Sequence, residues 1–223
     1  MVIQPKWSYG DVHKDYPIQL GERWAVGNSE FICVDLNTLD EAPFPSVDYC
    51  YVDPPWNQSA MQSYYTKAGR SDKADFKGFI PHLFRLLSAV KYDVFIETGK
   101  QQLKFLQAEI QRSGGNTINV WNTTYYETRP CFVVRAYWNE HNLESLDLEG
   151  MDDGMTPYAV AQAVAEIDSG STIYDACTGM GLITAATVVN GLRFVGTELH
   201  PYRMAWAIKK AVELTGLPAE RVA

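Results

Sequence analysis

A chain of 223 residues with 46% apolar and 21% charged residues is long enough for one globular domain and has an ordinary globular composition, so disorder is not the starting expectation. No apolar run reaches the length that spans a bilayer, and the N-terminal residues lack the apolar centre of a signal peptide, so a cytoplasmic location is expected. A net charge of −8 runs against a free-standing nucleic-acid binder, whose affinity comes mainly from phosphate contacts.

Taken in chain order, Phe31–Leu36 and Val47–Val52 are short, β-branched and aromatic, and predict buried strands. Residues 75–90 carry apolar side chains at helical spacing, with Pro81 expected to bend or delay the helix. Asp93–Glu97 predicts another strand, stopped by Gly99, and Gln101–Arg112 a helix ended by Ser113-Gly114-Gly115. Two aromatic-rich runs, Thr117–Tyr126 and Arg129–Trp138, predict an antiparallel pair. Asn139–Met155 holds six acidic residues and no Lys or Arg, which reads as a solvated connector. Thr156 and Pro157 read as the N-cap and first position of a helix to about Asp168. Strand Thr172–Ala176, a glycine turn, a helix from Leu182, strand Arg193–Leu199 and helix Pro201–Gly216 complete an alternating α/β series. Cys33, Cys50, Cys131 and Cys177 show no paired spacing and the four histidines do not cluster; the cysteines read as small buried hydrophobes, and no metal is expected.

The strand Val47–Val52 runs directly into Asp53-Pro54-Pro55-Trp56, at the carboxyl end where ligands bind in open α/β sheets. Asp-Pro-Pro alone would serve as a rigid turn, but strand termination does not require the Trp. An aromatic exocyclic amine is a poor nucleophile because its lone pair is delocalised into the ring. Two acceptors that bind its N–H groups favour the localised form. The Asp53 carboxylate and the Pro54 carbonyl can supply them, the prolines offer no competing N–H, and Trp56 presents a flat face to an extruded base. Asp53, Pro54, Pro55 and Trp56 are therefore the candidate catalytic residues.

The second motif, Ile173–Gly181, is a strand, a glycine turn and a helix start. Taken alone, G-x-G serves dinucleotides and tight turns equally well, and Thr184 stands where a dinucleotide fingerprint has its third glycine. Seventeen residues beyond Gly181, Glu198 ends the next strand, where a carboxylate can accept from both hydroxyls of a ribose. The combination specifies a nucleoside-containing cofactor without saying which.

DPPW followed much later by DACTGMGLITAATVVNGLRFVGTELHPYRMAWA resembles the DNA amino methyltransferases that act on adenine N6 or cytosine N4. The order resembles their permuted beta group, in which the catalytic motif precedes the glycine turn, and the likeness runs from about Phe31 to Gly216. The resemblance implies a Rossmann-like class I methyltransferase: a doubly wound, mostly parallel sheet of seven strands with an antiparallel edge hairpin. It implies a single domain over 1–223, with a catalytic half at 31–138, a connector at 139–155 and a cofactor half at 156–216. S-adenosylmethionine is the implied cofactor and the N6 amine of a flipped DNA adenine the implied acceptor. By the same resemblance Asp53, Asp175, Ala176, Cys177, Thr178, Gly179 and Gly181 surround the methionine end of the cofactor, with Thr156 and Pro157 packed over it. Glu198 then holds the ribose and Asp35 lies near the cofactor's adenine. Two departures stand out. The family usually has Asp-Pro-Phe where this chain has Asp175-Ala176-Cys177, and 139–155 is too short for a target-recognition domain.

Lys67, Arg70, Lys73 and Lys77 directly follow the catalytic motif and are the candidate phosphate contacts. So few cations would bind DNA weakly, and a partner subunit or a homodimer would strengthen the hold. Rival readings are amino methylation of RNA adenine, cytosine N4 or a protein glutamine, a non-catalytic subunit of a complex, and a nicotinamide-dependent oxidoreductase. The last leaves Asp53–Trp56 unexplained. Asp at the head of the motif leans toward adenine, by resemblance.

Overall fold

The structure, a computed structural model, describes residues 9–44 and 46–222. A short helix α1 (Val12–Asp15) leads into β1 (Arg23–Val26) and β2 (Ser29–Cys33). Next come β3 (Tyr49–Val52), α2 (Gln58–Lys67), α3 (Phe76–Leu87), β4 (Val94–Gly99) and α4 (Leu103–Arg112). The long hairpin β5 (Asn116–Tyr125) and β6 (Arg129–Tyr137) follows. The C-terminal part holds α5 (Thr156–Ile167), β7 (Thr172–Asp175), α6 (Leu182–Val189), β8 (Arg193–Glu198), α7 (Pro201–Thr215) and β9 (Ala219–Val222).

All the strands join one sheet in the order β5-β6-β4-β3-β7-β8-β2-β1-β9. The five central strands, β4-β3-β7-β8-β2, run parallel, and both edges are antiparallel. The seven expected strands are all present; β1 and β9 bring the described sheet to nine. β1 is half-buried and β9 is an exposed edge strand, so neither carries the apolar run that marks a buried strand. The C-terminal strands β7 and β8 lie between β3 and β2, so the two sequence motifs stand on neighbouring strands.

Helices cover both faces. Strand β3 shows why: its alternating side chains send Cys50 and Val52 into a core with Leu83, Phe84 and Ile96, and Tyr49 and Tyr51 into a second core with Val160, Ile183 and Ala205. Helix α3 is not delayed by Pro81; the Asp75 carboxylate accepts from the Gly78 N–H at 3.2 Å and the helix runs from Phe76 through the proline.

Two local expectations are corrected. Thr156 is not the N-cap of α5 but its first residue; Met155 holds the cap position, and the Thr156 hydroxyl is turned to Tyr51 and Glu97 instead. Nor is 139–155 simply solvated. Leu143 and Leu148 are fully buried, and the buried Asp93–Arg135 ion pair, 2.8 Å long, ties the segment down. Asp93 accepts from the Asn142 and Leu143 N–H groups while Arg135 donates to the Leu143 carbonyl. Cys33, Cys50 and Cys131 are buried and Cys177 is half-buried. Among the described residues no His, Cys, Asp and Glu cluster could hold a metal, and no helix is long and apolar enough to cross a membrane.

Candidate active site

The carboxyl ends of β2, β3, β4, β7 and β8 open into one cavity of about 390 Å³. Both sequence motifs reach it. Asp35, Asp53, Pro55, Pro157, Asp175, Ala176, Cys177, Thr178, Gly179 and Glu198 line the cavity. Pro54, Thr156 and Gly181 are buried behind the lining, and Trp56 is half-buried beside it. Lys67, Arg70, Lys73 and Lys77 lie outside it.

The backbone leaves β3 at Val52 and places Asp53 at the strand end, after which Asn57 caps α2 by accepting from the Ala60 N–H at 2.8 Å. The Trp56 indole N–H donates to Oδ1 of Asp53 at 2.8 Å. No described protein group bonds Oδ2, so one carboxylate oxygen remains for a ligand. Burial pushes the Asp53 carboxyl up to about 6, against the opposing pull of the Trp56 hydrogen bond and the Arg203 charge. The Trp56 ring is not an open platform. It rests on Gly99, where a Cβ would come within 2.9 Å of the indole, and packs 5.0 Å from the Tyr125 ring.

After β7 the chain turns through Gly179 and Gly181, at φ of 55° and 79°, into α6. A Cβ on Gly181 would meet Ala207 Cα at 2.7 Å, so only glycine lets α7 approach this closely. Asp175 accepts from the Cys177 N–H through Oδ1 at 2.9 Å, whereas its Oδ2 is buried without a partner. Such an atom invites a ligand donor, because an unpaired buried acceptor is costly. Burial pushes the Asp175 carboxyl well up. Glu198 accepts from Gly179 N–H (2.8 Å) and His200 N–H (2.9 Å), one bond per oxygen, leaving each a further lone pair.

Several cavity residues carry no local sequence signal. Glu97, in the C-terminal half of β4, is buried and accepts from the Tyr51 hydroxyl at 2.5 Å and from Thr156 at 3.3 Å, tying β3, β4 and α5 together. Burial, then the nearby Asp53 charge, hold its carboxyl well above the usual range. Arg203 stands 4.0 Å from Glu198 and 5.0 Å over the Tyr64 ring. The lining carries seven carboxyl groups against Arg203 and Lys210, with Asp35 also paired to Arg70. Burial raises Asp53, Glu97 and Asp175, and a cationic ligand would favour their ionised forms.

Arg70 is committed elsewhere: it pairs with Asp35 and with Asp72, each at 2.9 Å. Asp35 also accepts from the Asn37 N–H at 3.0 Å, so its charge is held between a turn and a guanidinium. Lys73 and Lys77 are exposed, and Lys67 lies 5.7 Å over the Tyr64 ring.

Searches with the sequence match no protein-family model and no curated protein. Solved structures do resemble the fold. M1.HpyAVI in complex with S-adenosylmethionine superposes with a TM-score of 0.53 at 13% identity, over 74% of this chain and 88% of that one. TTHA0409 from Thermus thermophilus, a candidate DNA modification methylase complexed with S-adenosyl-L-methionine, gives 0.52 at 15% identity, over 80% and 89%. The cytosine-N4-specific PvuII DNA methyltransferase gives 0.53 at 9% identity, over 88% and 95%. These likenesses define the class of fold, the α/β fold of class I methyltransferases.

Proposed function

We propose that this chain is an S-adenosylmethionine-dependent methyltransferase acting on the exocyclic N6 amine of adenine in DNA. The observation that carries the reading is the shared cavity. Asp53 of the amine-binding motif and Asp175, Gly179 and Glu198 of the glycine turn line one space at the ends of neighbouring parallel strands. The volume suits a nucleoside-sized ligand, and the acidic lining with its orphaned Asp175 oxygen suits a sulfonium and an ammonium group. Two of the similar structures contain this cofactor, which supports the choice. The Asp53–Trp56 motif precedes the glycine turn in the chain, which is the order the resemblance to the beta group implies, and both halves of the chain contribute strands to one sheet.

When bound, S-adenosylmethionine supplies a methyl group already activated as a sulfonium. The chain's part is to prepare the amine. Asp53 accepts one N–H of the base through its open oxygen and the Pro54 carbonyl accepts the other, which localises the nitrogen lone pair. The open Asp175 oxygen and the close-packed glycine turn would hold the methionine end, Glu198 the ribose and Asp35 the adenine edge. Pro157 closes the wall over the methionine. As the nitrogen bonded the methyl carbon, the sulfonium S–C bond would break to leave a neutral thioether. The nitrogen would become cationic, the Asp53 carboxylate would stabilise that charge, and the nitrogen's proton would then pass to Asp53 or to water.

A second reading, methylation of cytosine N4, is favoured by the PvuII likeness; Asp at the head of the motif favours adenine. Calorimetric titration with S-adenosylmethionine and its demethylated product tests the cofactor directly. Saturable binding that weakens in Glu198→Ala is expected, and no heat at millimolar ligand would end the proposal.

A further inference from the structure

The tip of the β5–β6 hairpin is the one place among the described residues where non-glycine backbone takes positive φ: Tyr126 at 49° and Glu127 at 60°. The connection is three residues, Tyr126–Thr128, and its left-handed positions normally select Asn or Gly, because a Cβ is strained there. The strain is held from outside the hairpin. The Asp153 carboxylate accepts from the Tyr126 N–H at 3.1 Å and the Asp152 carboxylate from the Glu127 N–H at 2.6 Å. Two acidic residues of the 139–155 segment therefore spend their carboxylates on fixing this turn.

The turn fixes the position of an aromatic ring. Tyr126 is 69% exposed, yet it lines the mouth of the catalytic cavity. Its ring packs edge-on at 4.4 Å against Tyr125, which in turn lies 5.0 Å from Trp56. A ladder of three rings thus runs from the catalytic motif to the surface. Arg129 pairs across the turn with Tyr125, and Lys100 directly follows Gly99, which pairs with Cys131. Both cations stand at the same end of the sheet, exposed and without an acidic partner among the described residues.

We propose that this tip is the element that enters duplex DNA beside the target base: Tyr126 stacks into the space that the extruded nucleotide leaves, and Arg129 and Lys100 hold the flanking phosphates. The inference rests on the proposed methylation of DNA and adds how the hairpin tip would open the duplex. An aromatic ring offers stacking to any base pair, so it lowers the cost of extrusion without reading sequence. A strained, externally braced turn supplies the rigidity a wedge needs, which a flexible loop would not.

The test compares native and heat-denatured DNA as methyl acceptors, with labelled S-adenosylmethionine, for wild type, Tyr126→Ala and Tyr126→Trp. Tyr126→Ala is expected to lose at least about tenfold in rate on native DNA and less than about twofold on denatured DNA, with Tyr126→Trp restoring the native rate. Equal losses on both substrates would make Tyr126 a cavity wall and overturn the proposal, as would no loss on native DNA. A wild type inactive on denatured DNA also counts against it, because an open strand needs no wedge. A wild type that methylates neither substrate while binding the cofactor would instead remove the DNA reading itself, and the wedge with it.

Discussion

Trp56 donates its indole N–H to Oδ1 of Asp53 at 2.8 Å, and this bond opposes the burial that raises the Asp53 carboxyl. It favours the carboxylate and so works against the burial that lifts Asp53 to about 6. Replacing the donor has a defined sign. In Trp56→Phe the Asp53 pKa rises further, and the acid limb of the rate–pH profile moves to higher pH. A profile whose acid limb stays in place would show that Trp56 does not tune Asp53.

The same elevation has a stability consequence. A carboxyl whose folded pKa of about 6 exceeds its unfolded value of 3.8 binds its proton more tightly in the folded state. The protein therefore loses stability as pH rises through that window, and the cost is absent below it. Asp53→Asn removes the cost, so the variant should be more stable than wild type by about 1–3 kcal/mol at pH 8. The gap should close toward pH 4. Denaturant titrations at the two pH values read it, and a less stable variant at pH 8 would contradict the account. If Asp53 acts as proposed, the same variant should lose most of its methyl transfer, because an amide offers no negative charge to the developing cation.

Glu198 does two jobs, bracing the Gly179 and His200 N–H groups and facing the cavity. Glu198→Ala should weaken S-adenosylmethionine binding by about 1–3 kcal/mol, the cost of unpaired polar groups. Calorimetry gives the number directly.

The cations after the catalytic motif divide by structure. Arg70 already pairs with Asp35 and Asp72, while Lys73 and Lys77 are exposed. Neutralising Lys67, Lys73 and Lys77 should flatten the slope of log affinity for DNA against log salt, by up to about 0.9 for each duplex phosphate that is no longer neutralised. Adding Arg70→Ala should leave the slope where it is and instead weaken cofactor binding through the unpaired Asp35. A further drop in slope on losing Arg70 would place it on the phosphates after all.

Glu127 carries no cavity contact and sits at φ 60°. Glu127→Gly should relieve the left-handed strain and raise stability by up to about 1 kcal/mol, after the entropy cost of glycine in the unfolded chain. Thermal melting decides it; a lower Tm would mean that the turn is not strained.

What the sequence made legible was local. Asp53–Trp56 at a strand end, Gly179 and Gly181, and Glu198 are contiguous signals on buried parallel strands, and each strand that carries them was readable from its apolar run. The pairing of Arg70 with Asp35, 35 residues away, depends on how the loop after α2 folds back, which no spacing encodes. Glu97 reads in the sequence as any carboxylate ending a strand; only the sheet order sets it beside Asp53 and Tyr51. Trp56 had the right residue type for a stacking face, but Gly99 and Tyr125 occupy its faces, so the exposed ring at the mouth is Tyr126 instead. The segment 139–155 was read by its charge. Two of its leucines and two of its aspartates outweigh that charge, through burial and through bonds to the hairpin tip.

The most direct test of the central claim is a nucleoside analysis by mass spectrometry of DNA incubated with the purified protein and S-adenosylmethionine, with Asp53→Ala in parallel. The account predicts N6-methyladenine with wild type and none with Asp53→Ala, although that variant still binds the cofactor in calorimetry. N4-methylcytosine alone would move the acceptor to the other base, and no methylated nucleoside from a wild type that binds the cofactor would contradict the account.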